Sequence, residues 1–122
     1  MTPAYKIIYY ETKQGKCEIG EYINLLNSKK DKDSRIKLTK IVKYIRRLQA
    51  YGTSIGKPTI DKIEGTELWE LRPLKDRIFF AYWKDNMFIL LHHFAKKTNK
   101  TSKSEIEQAQ RNFKDWKERF GE

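Results

Sequence analysis

The chain has 122 residues, with 26 Lys and Arg against 16 Asp and Glu, and its formal net charge is +10. This length predicts one domain spanning residues 1–122. The hydrophobic fraction of 39% and the aromatic fraction of 13% exclude a chain that is disordered throughout, because they suffice for a packed core. The large positive charge predicts a polyanionic partner, such as nucleic acid or an acidic protein.

Cysteine use and hydropathy narrow the class of protein further. The single Cys17 excludes an intrachain disulfide, and no Cys or His grouping has metal-ligand spacing, so we expect an inert thiol, no metal and no cofactor. No apolar run approaches the roughly 20 residues of a membrane span, and the N-terminal residues lack the pattern of a secretory signal. We therefore expect a soluble, cytoplasmic protein without a membrane partner.

A strand and two helices are predicted for the first part of the chain. Residues 5–10 are β-branched and aromatic, which is typical of a strand that ends before a turn at residues 14 and 15. The first helix begins at Glu18, where apolar residues start to recur at helical spacing, and ends within residues 27–33. The second is capped by Asp33 or Ser34 and stopped by Gly52.

The second helix has a basic face opposite its apolar stripe. Its cations recur every three or four residues: Lys37, Lys40, Lys43, Arg46 and Arg47. For any one of them a solvated helix face is the simpler interpretation, and an acidic protein partner is a further alternative. A nucleic-acid contact is the functional interpretation, in which Lys43 and Arg46 bind substrate.

Three more strands and a last helix follow. Residues 53–65 form a loop with a short extended piece near residues 59–63. Residues 67–72, 77–83 and 87–94 predict an antiparallel meander, with a tight turn at Asp85 and Asn86. Ser102 and Glu105 have the spacing of a capping box for the last helix, whose apolar seam is Ile106, Ala109, Phe113, Trp116 and Phe120. The order β, α, α, β, β, β, α predicts an α+β fold.

Strand parity groups the candidate site residues on one sheet face. A four-residue loop at 73–76 places Arg72 opposite Arg77, and like charges at such a pair destabilise a sheet unless Glu70 or an anion lies between them. A two-residue turn at Asp85 and Asn86 pairs Trp83 with Phe88 and Arg77 with Phe94. The predicted open, cationic face then carries Glu70, Arg72, Arg77, His92 and Lys96. The opposite face, covered by helices, carries Trp69, Leu71, Ile78, Phe80, Tyr82, Ile89 and Leu91.

Such a groove suits metal-independent cleavage of RNA. The neighbouring 2′-hydroxyl is the nucleophile, Arg72 and Arg77 stabilise the phosphorane, and Glu70 or His92 acts as base or acid. The simpler interpretations are a salt bridge from Glu70 to Arg72 and a hydrogen-bonded strand histidine at His92. Residues 96–103 contain no acidic residue and precede a helix, which makes Lys96, Lys97, Lys100 and Lys103 candidates for phosphate binding.

Taken together, these stretches resemble the RelE/ParE superfamily of type II toxins, in its HigB-like, phage-derived branch. The resemblance lies in Leu68-Trp69-Glu70-Leu71-Arg72, in Arg77-Ile78-Phe79-Phe80, in Leu90-Leu91-His92-His93-Phe94-Ala95-Lys96-Lys97-Thr98, and in Lys100-Thr101 with Glu105-Ile106 and Ala109. It covers Gly65 to about Trp116. The chain departs from RelE-type relatives, which have lysines in place of Leu68 and Glu70 and a catalytic tyrosine in place of Ile106.

This resemblance implies a fold, a function and partners. The expected fold is a small antiparallel sheet with helices on one side. The expected function is ribosome-dependent cleavage of mRNA, with Arg77 at the scissile phosphate and Lys97 or Lys96 as the basic residue after the last strand. The expected partners are the ribosome, mRNA and a HigA-like helix-turn-helix antitoxin, with which the toxin forms a heterotetramer. Two alternatives stay open: a ParE-like gyrase inhibitor without nuclease activity, and a non-catalytic nucleic-acid-binding module that uses the second helix.

Overall fold

The computed structural model describes residues 4–98 and 102–122. Its helices are α1 (Glu18–Ser28), α2 (Lys32–Tyr51) and α3 (Lys103–Phe120), with a short 3₁₀ turn at Gly52–Ile55. Its strands are β1 (Lys6–Tyr9), β2 (Ile60–Lys62), β3 (Trp69–Leu71), β4 (Asp76–Tyr82) and β5 (Met87–Ala95). None of the three helices in the described part of the chain is long and apolar enough to cross a membrane.

The strands form one mixed sheet of five strands in the order β1-β5-β4-β3-β2. β1 runs parallel to β5, and the other neighbours are antiparallel. The predicted α+β class is confirmed, and the extended piece expected near residues 59–63 is the edge strand β2. The antiparallel sheet implied by the resemblance is wrong at β1, which runs parallel to β5; the long connection that parallel neighbours need consists here of α1, α2 and the strands β2 to β4.

Both faces of the sheet are covered by helices. α1 and α2 pack on the face that carries Leu71, Ile78 and Phe80. α3 packs on the other face, where its residues Ala109, Phe113 and Trp116 contact a core that includes Phe79 and Ala81. The prediction of helices on one side and an open cationic face is therefore wrong, because the last helix has its own apolar stripe to bury. The end of the sheet where Arg77 lies carries a cleft that is lined mainly by cationic residues.

The β4–β5 register explains part of this error. Arg77 pairs with Phe94, as predicted, but Tyr82 pairs with Phe88, so the predicted pair of Trp83 and Phe88 is wrong. At the turn, the Trp83 amide donates to the Met87 carbonyl, and Asp85 and Asn86 both have positive φ. A second irregularity between Phe79 and Phe80 restores the expected register beyond it. In the shifted part, Ile89 and Leu91 join the α3 core, not the α1/α2 core where they were predicted.

The helix ends were predicted with mixed success. α2 ends at Gly52, as expected; this glycine has φ +63°, and an added Cβ would lie 2.7 Å from the Tyr5 ring. The α2 cap is Asp31, two residues before the predicted Asp33, and its carboxylate accepts the Ser34 amide at 2.9 Å. The predicted capping box of α3 is wrong, because Ser102 makes no capping hydrogen bond and the Glu105 carboxylate lies beside His92.

Candidate active site

A tight turn after β3 fixes the position of Arg77. The Asp76 amide donates to the Pro73 carbonyl at 3.1 Å, and Leu74 has φ +58°, a left-handed conformation that an L-residue adopts only at some cost. This turn directs two carbonyls at the guanidinium: Arg77 Nη1 donates to Leu74 O at 2.6 Å and to Asp76 O at 2.8 Å. The turn therefore holds Arg77, which is 7% exposed, at the end of the sheet.

Glu70 lies between the two arginines. Leu71 pairs with Ile78, so the same register brings Arg72 opposite Arg77. Glu70 Oε1 is 3.4 Å from Arg72 Nε and 3.5 Å from Arg77 Nε, and the Arg77 contact is an ion pair without hydrogen-bond geometry. Burial lowers the pKa of Arg77, an effect that Glu70 opposes and Arg72 reinforces, and the group stays cationic. This arrangement matches the prediction that Glu70 or an anion separates the paired charges.

Arg77 opens onto a small basic cleft of about 320 Å³, lined by Lys75, Arg77, Lys96, Lys97 and Thr98. Lys75 and Lys96 are held together because the Lys96 amide donates to the Lys75 carbonyl at 2.7 Å. Among these lining residues four are cationic and none is acidic. A phosphate group is the chemical class that such a set of donors binds.

The predicted site residues separate into several groups. Arg77, Lys96 and Lys97 line the basic cleft, with Glu70 and Arg72 directly behind Arg77. Lys43 and Arg46 lie on α2, where they line a different groove. Lys103 is exposed in the first turn of α3 and is not part of the described cleft lining. Lys100 lies outside the described residues.

His92 is held between two carboxylates. Its Nδ1 is 3.0 Å from Glu18 Oε1, and its Nε2 is 3.4 Å from Glu105 Oε1. Burial opposes the protonation of His92, but hydrogen bonding and the negative charge of Glu18, followed by Glu105, raise its pKa above the ordinary value. Register also places Phe79 between Glu70 and His92. The predicted acid or base is thus bound to α1 and α3, and it does not line the basic cleft.

Glu18 also accepts a hydrogen bond from the backbone of β5, where β1 no longer pairs with that strand. Its carboxylate accepts the His93 amide at 3.0 Å, at a point of β5 beyond its pairing with β1. Burial alone would raise the pKa of Glu18, but the hydrogen bonds from His92 and His93 outweigh it and lower that pKa. The first residue of α1 therefore ties the helix to the strand that leads into the basic cleft.

A second cluster, formed by Asp76, Tyr22 and His93, contacts the turn at Asp76. Asp76, which is 3% exposed, accepts from the Tyr22 hydroxyl at 2.9 Å and lies 3.0 Å from His93 Nε2. The Tyr22 and His93 rings stack, with centroids 3.8 Å apart. Burial and the Asp76 carboxylate raise the pKa of Tyr22. Since Asp76 also offers its carbonyl to Arg77, this cluster connects α1 to the arginine.

Sequence reasoning missed Lys75, Thr98, Glu18 and Asp76. Lys75 was assigned to a turn, although the predicted hairpin already placed it two residues from Arg77. Glu18 had no such signal, because its contact with His92 joins residues that are 74 positions apart. Asp76 was likewise read as turn chemistry, and its burial depends on α1, which the local sequence does not reveal.

The model of a known family matches residues 24–114, described as phage-derived protein Gp49-like (DUF891). The match spans well over half of the chain and includes every described residue of the basic cleft. This chain belongs to the Gp49-like family. That family is in general one of RelE/HigB-like toxins, which indicates the toxin of a toxin–antitoxin system and implies an antitoxin partner. No curated protein matches the sequence.

Proposed function

We propose that this Gp49-like protein is a ribosome-dependent, metal-independent endoribonuclease that cleaves mRNA and inhibits translation. The observation that carries the proposal is the basic cleft, in which buried Arg77 and the lysines Lys75, Lys96 and Lys97 converge without an acidic lining residue. One RNA phosphate has the charge and size that such a cleft receives.

In the proposed reaction, the 2′-hydroxyl oxygen attacks the adjacent phosphorus and the bond from phosphorus to the 5′ oxygen breaks. The products are a 2′,3′-cyclic phosphate and a 5′-hydroxyl, so the proton of the nucleophile passes to solvent water and another proton joins the leaving oxygen. Negative charge grows on the non-bridging oxygens, where Arg77 and Lys97 stabilise it. Lys75 and Lys96 bind the flanking phosphates, and Thr98 lines the same wall.

The geometry favours positioning roles for the two predicted acid–base residues. Glu70 lies between Arg72 and Arg77 and offsets part of their positive charge. His92 faces carboxylates with both ring nitrogens and holds α1 and α3 against β5. The basic cleft therefore acts mainly through electrostatic stabilisation, with an ammonium such as that of Lys97 as the proton donor to the leaving oxygen.

The remaining partners follow from the same proposal. The ribosome presents the mRNA, and a HigA-like antitoxin with a helix-turn-helix domain neutralises the toxin in a heterotetramer. The surplus of positive charge in the chain favours fast association with each of these polyanionic or acidic partners. We place the protein in the cytoplasm, where translating ribosomes are.

The test is Arg77→Ala, measured by growth arrest and by mapping mRNA 5′ ends in a translating extract. We expect the loss of both, and Arg111→Ala, an exposed arginine on α3, is the matched control that keeps them. Because Arg77 is buried beside Glu70, Lys97→Ala provides a second variant at an exposed position that leaves folding intact. Unchanged cleavage by both cleft variants would refute the proposal. Intact mRNA together with inhibited DNA supercoiling would favour the gyrase alternative.

A further inference from the structure

α2 carries a groove on its solvent-facing side, and one of the residues that line it, Leu38, also packs against the α1/α2 core. Its apolar lining is Leu38, Val42, Ala50 and Tyr51, and the Tyr51 side chain is 65% exposed. The buried stripe of the same helix, Ile41, Ile45 and Leu48, faces the sheet core. This α2 groove therefore exposes apolar surface to solvent, in addition to the stripe that α2 buries in the core.

Cations line the same groove. Lys43, Arg46 and Arg47 lie among its apolar residues, and no acidic residue belongs to the lining in the described part of the chain. The Arg47 guanidinium lies 5.8 Å from the centre of the Tyr44 ring, so it rests along the helix surface. The α2 groove thus presents apolar contacts and positive charge together, which is the complement of an acidic amphipathic segment.

We propose that the α2 groove binds an acidic amphipathic helix of the antitoxin. The proposal rests on the toxin function proposed above for its partner class and adds the surface and the chemistry of that partner. The lining residues all come from one helix at spacings of four and eight, from Leu38 to Arg46, and continue to Tyr51. A second helix of about four turns, or roughly 20 Å, packs its own ridges along such a face.

Two other occupants fit the α2 groove less well. A second copy of this chain would bring two cationic surfaces together, each belonging to a molecule of net charge +10. RNA would meet the cations but leave Leu38 and Val42 against phosphates, whereas the basic cleft offers phosphates lysines and a hydroxyl with little apolar lining. An acidic amphipathic helix matches both the cations and the apolar residues of the α2 groove.

The test measures the Kd of the purified chain for the antitoxin encoded beside it, by calorimetry at two salt concentrations and without ribosomes or mRNA. We expect the double variant Arg46→Glu with Arg47→Glu to weaken binding about 100-fold and to reduce its salt dependence. Tyr51→Ala, at an exposed position, is expected to weaken it about tenfold. Lys114→Glu, an exposed cation on α3, is the control and is expected to change the Kd less than threefold.

The outcomes are separable. If the double variant and Tyr51→Ala bind the antitoxin like the unmodified chain, with unchanged circular dichroism, the proposal is wrong. If they keep the antitoxin but lose affinity for a labelled single-stranded RNA, the α2 groove is a nucleic-acid surface and the proposal is equally wrong. Neither result depends on nuclease activity, so a failed cleavage experiment with Arg77→Ala leaves this test unaffected.

Discussion

The basic cleft and the α2 groove are both cationic, but their cations are held in place to different degrees. In the cleft, Arg77 is buried, donates to two carbonyls and is ion-paired to Glu70. In the α2 groove, Lys43 and Arg46 are exposed on long side chains beside apolar residues. A fixed cation stabilises charge that develops at one point, as in a transition state, whereas mobile cations over an apolar surface accommodate a protein partner.

The largest effect is expected from removing the residue that fixes the cleft. Glu70→Ala leaves Arg72 and Arg77 facing each other without their shared carboxylate, at a position that is 4% exposed. We expect a loss of about 3–5 kcal/mol in the free energy of unfolding, measured with urea. Asp61→Ala removes a partly exposed carboxylate that lies 4.0 Å from Arg72, and its expected cost is below about 1 kcal/mol. Equal losses in the two variants would contradict this account of the cleft.

One conservative substitution made in both regions sharpens the comparison. Arg77→Lys keeps the charge but loses the planar group that reaches Leu74 O, Asp76 O and Glu70, so we expect mRNA cleavage to fall about 100-fold. Arg47→Lys in the α2 groove is expected to change the free energy of unfolding by less than about 0.5 kcal/mol. Full activity in Arg77→Lys would show that the cleft needs only a point charge.

The sequence predicted the cleft better than the sheet around it. Arg72 and Arg77 were placed correctly because a four-residue loop sets their register locally, and the repulsion between like charges then required Glu70 or an anion between them. The β4–β5 pairing was wrong in the half next to the turn, from Phe80 to Tyr82, because two irregularities, near Lys84 and Leu91, bound a stretch of shifted register. Bulges have weak sequence signals, and a one-residue slip exchanges the faces.

The position of α3 was not predictable from the chemistry alone. Strand parity predicted that one sheet face is open to substrate. The apolar seam of α3 was not taken into account, although it has to be buried against a sheet face. The same gap hid the contacts of His92, because Glu18 and Glu105 reach it only after α1 and α3 pack on opposite sides of the sheet. Long-range packing, not local pattern, decides these contacts.

The carboxylates around His92 predict a pH dependence next to the cleft. The pKa of His92 is raised above 6.5, so its contribution to stability is complete below about pH 6.5 and is lost as the pH rises through the raised value. The pKa of Glu18 is lowered below 4.5, so its contribution is present above about pH 4.5 and is lost as the pH falls through the lowered value. The pair stabilises most between these limits.

The variant His92→Gln tests this pH dependence of stability. We expect the difference in unfolding free energy between the unmodified chain and His92→Gln to be larger at pH 5.5 than at pH 8, because the pKa of His92 is raised in the folded chain. Urea unfolding at both pH values measures it. Glu18→Gln, which removes the carboxylate that faces His92 Nδ1 at 3.0 Å, should abolish most of the pH dependence. A difference that does not change with pH would show that His92 is only packed in place.

The smallest effect concerns the helix that begins beside the cleft. Ser102 has the sequence position of an N-cap for α3, but its hydroxyl lies 2.8 Å from Ser104 Oγ and makes no capping bond. We therefore expect Ser102→Ala to cost less than about 0.5 kcal/mol in thermal or urea unfolding. Asp31→Ala on α2 removes a carboxylate that accepts both the amide and the hydroxyl of Ser34, and its loss should be the larger one. The opposite ranking would mean that the α3 cap forms in solution and holds the start of α3 more firmly than Asp31 holds the start of α2.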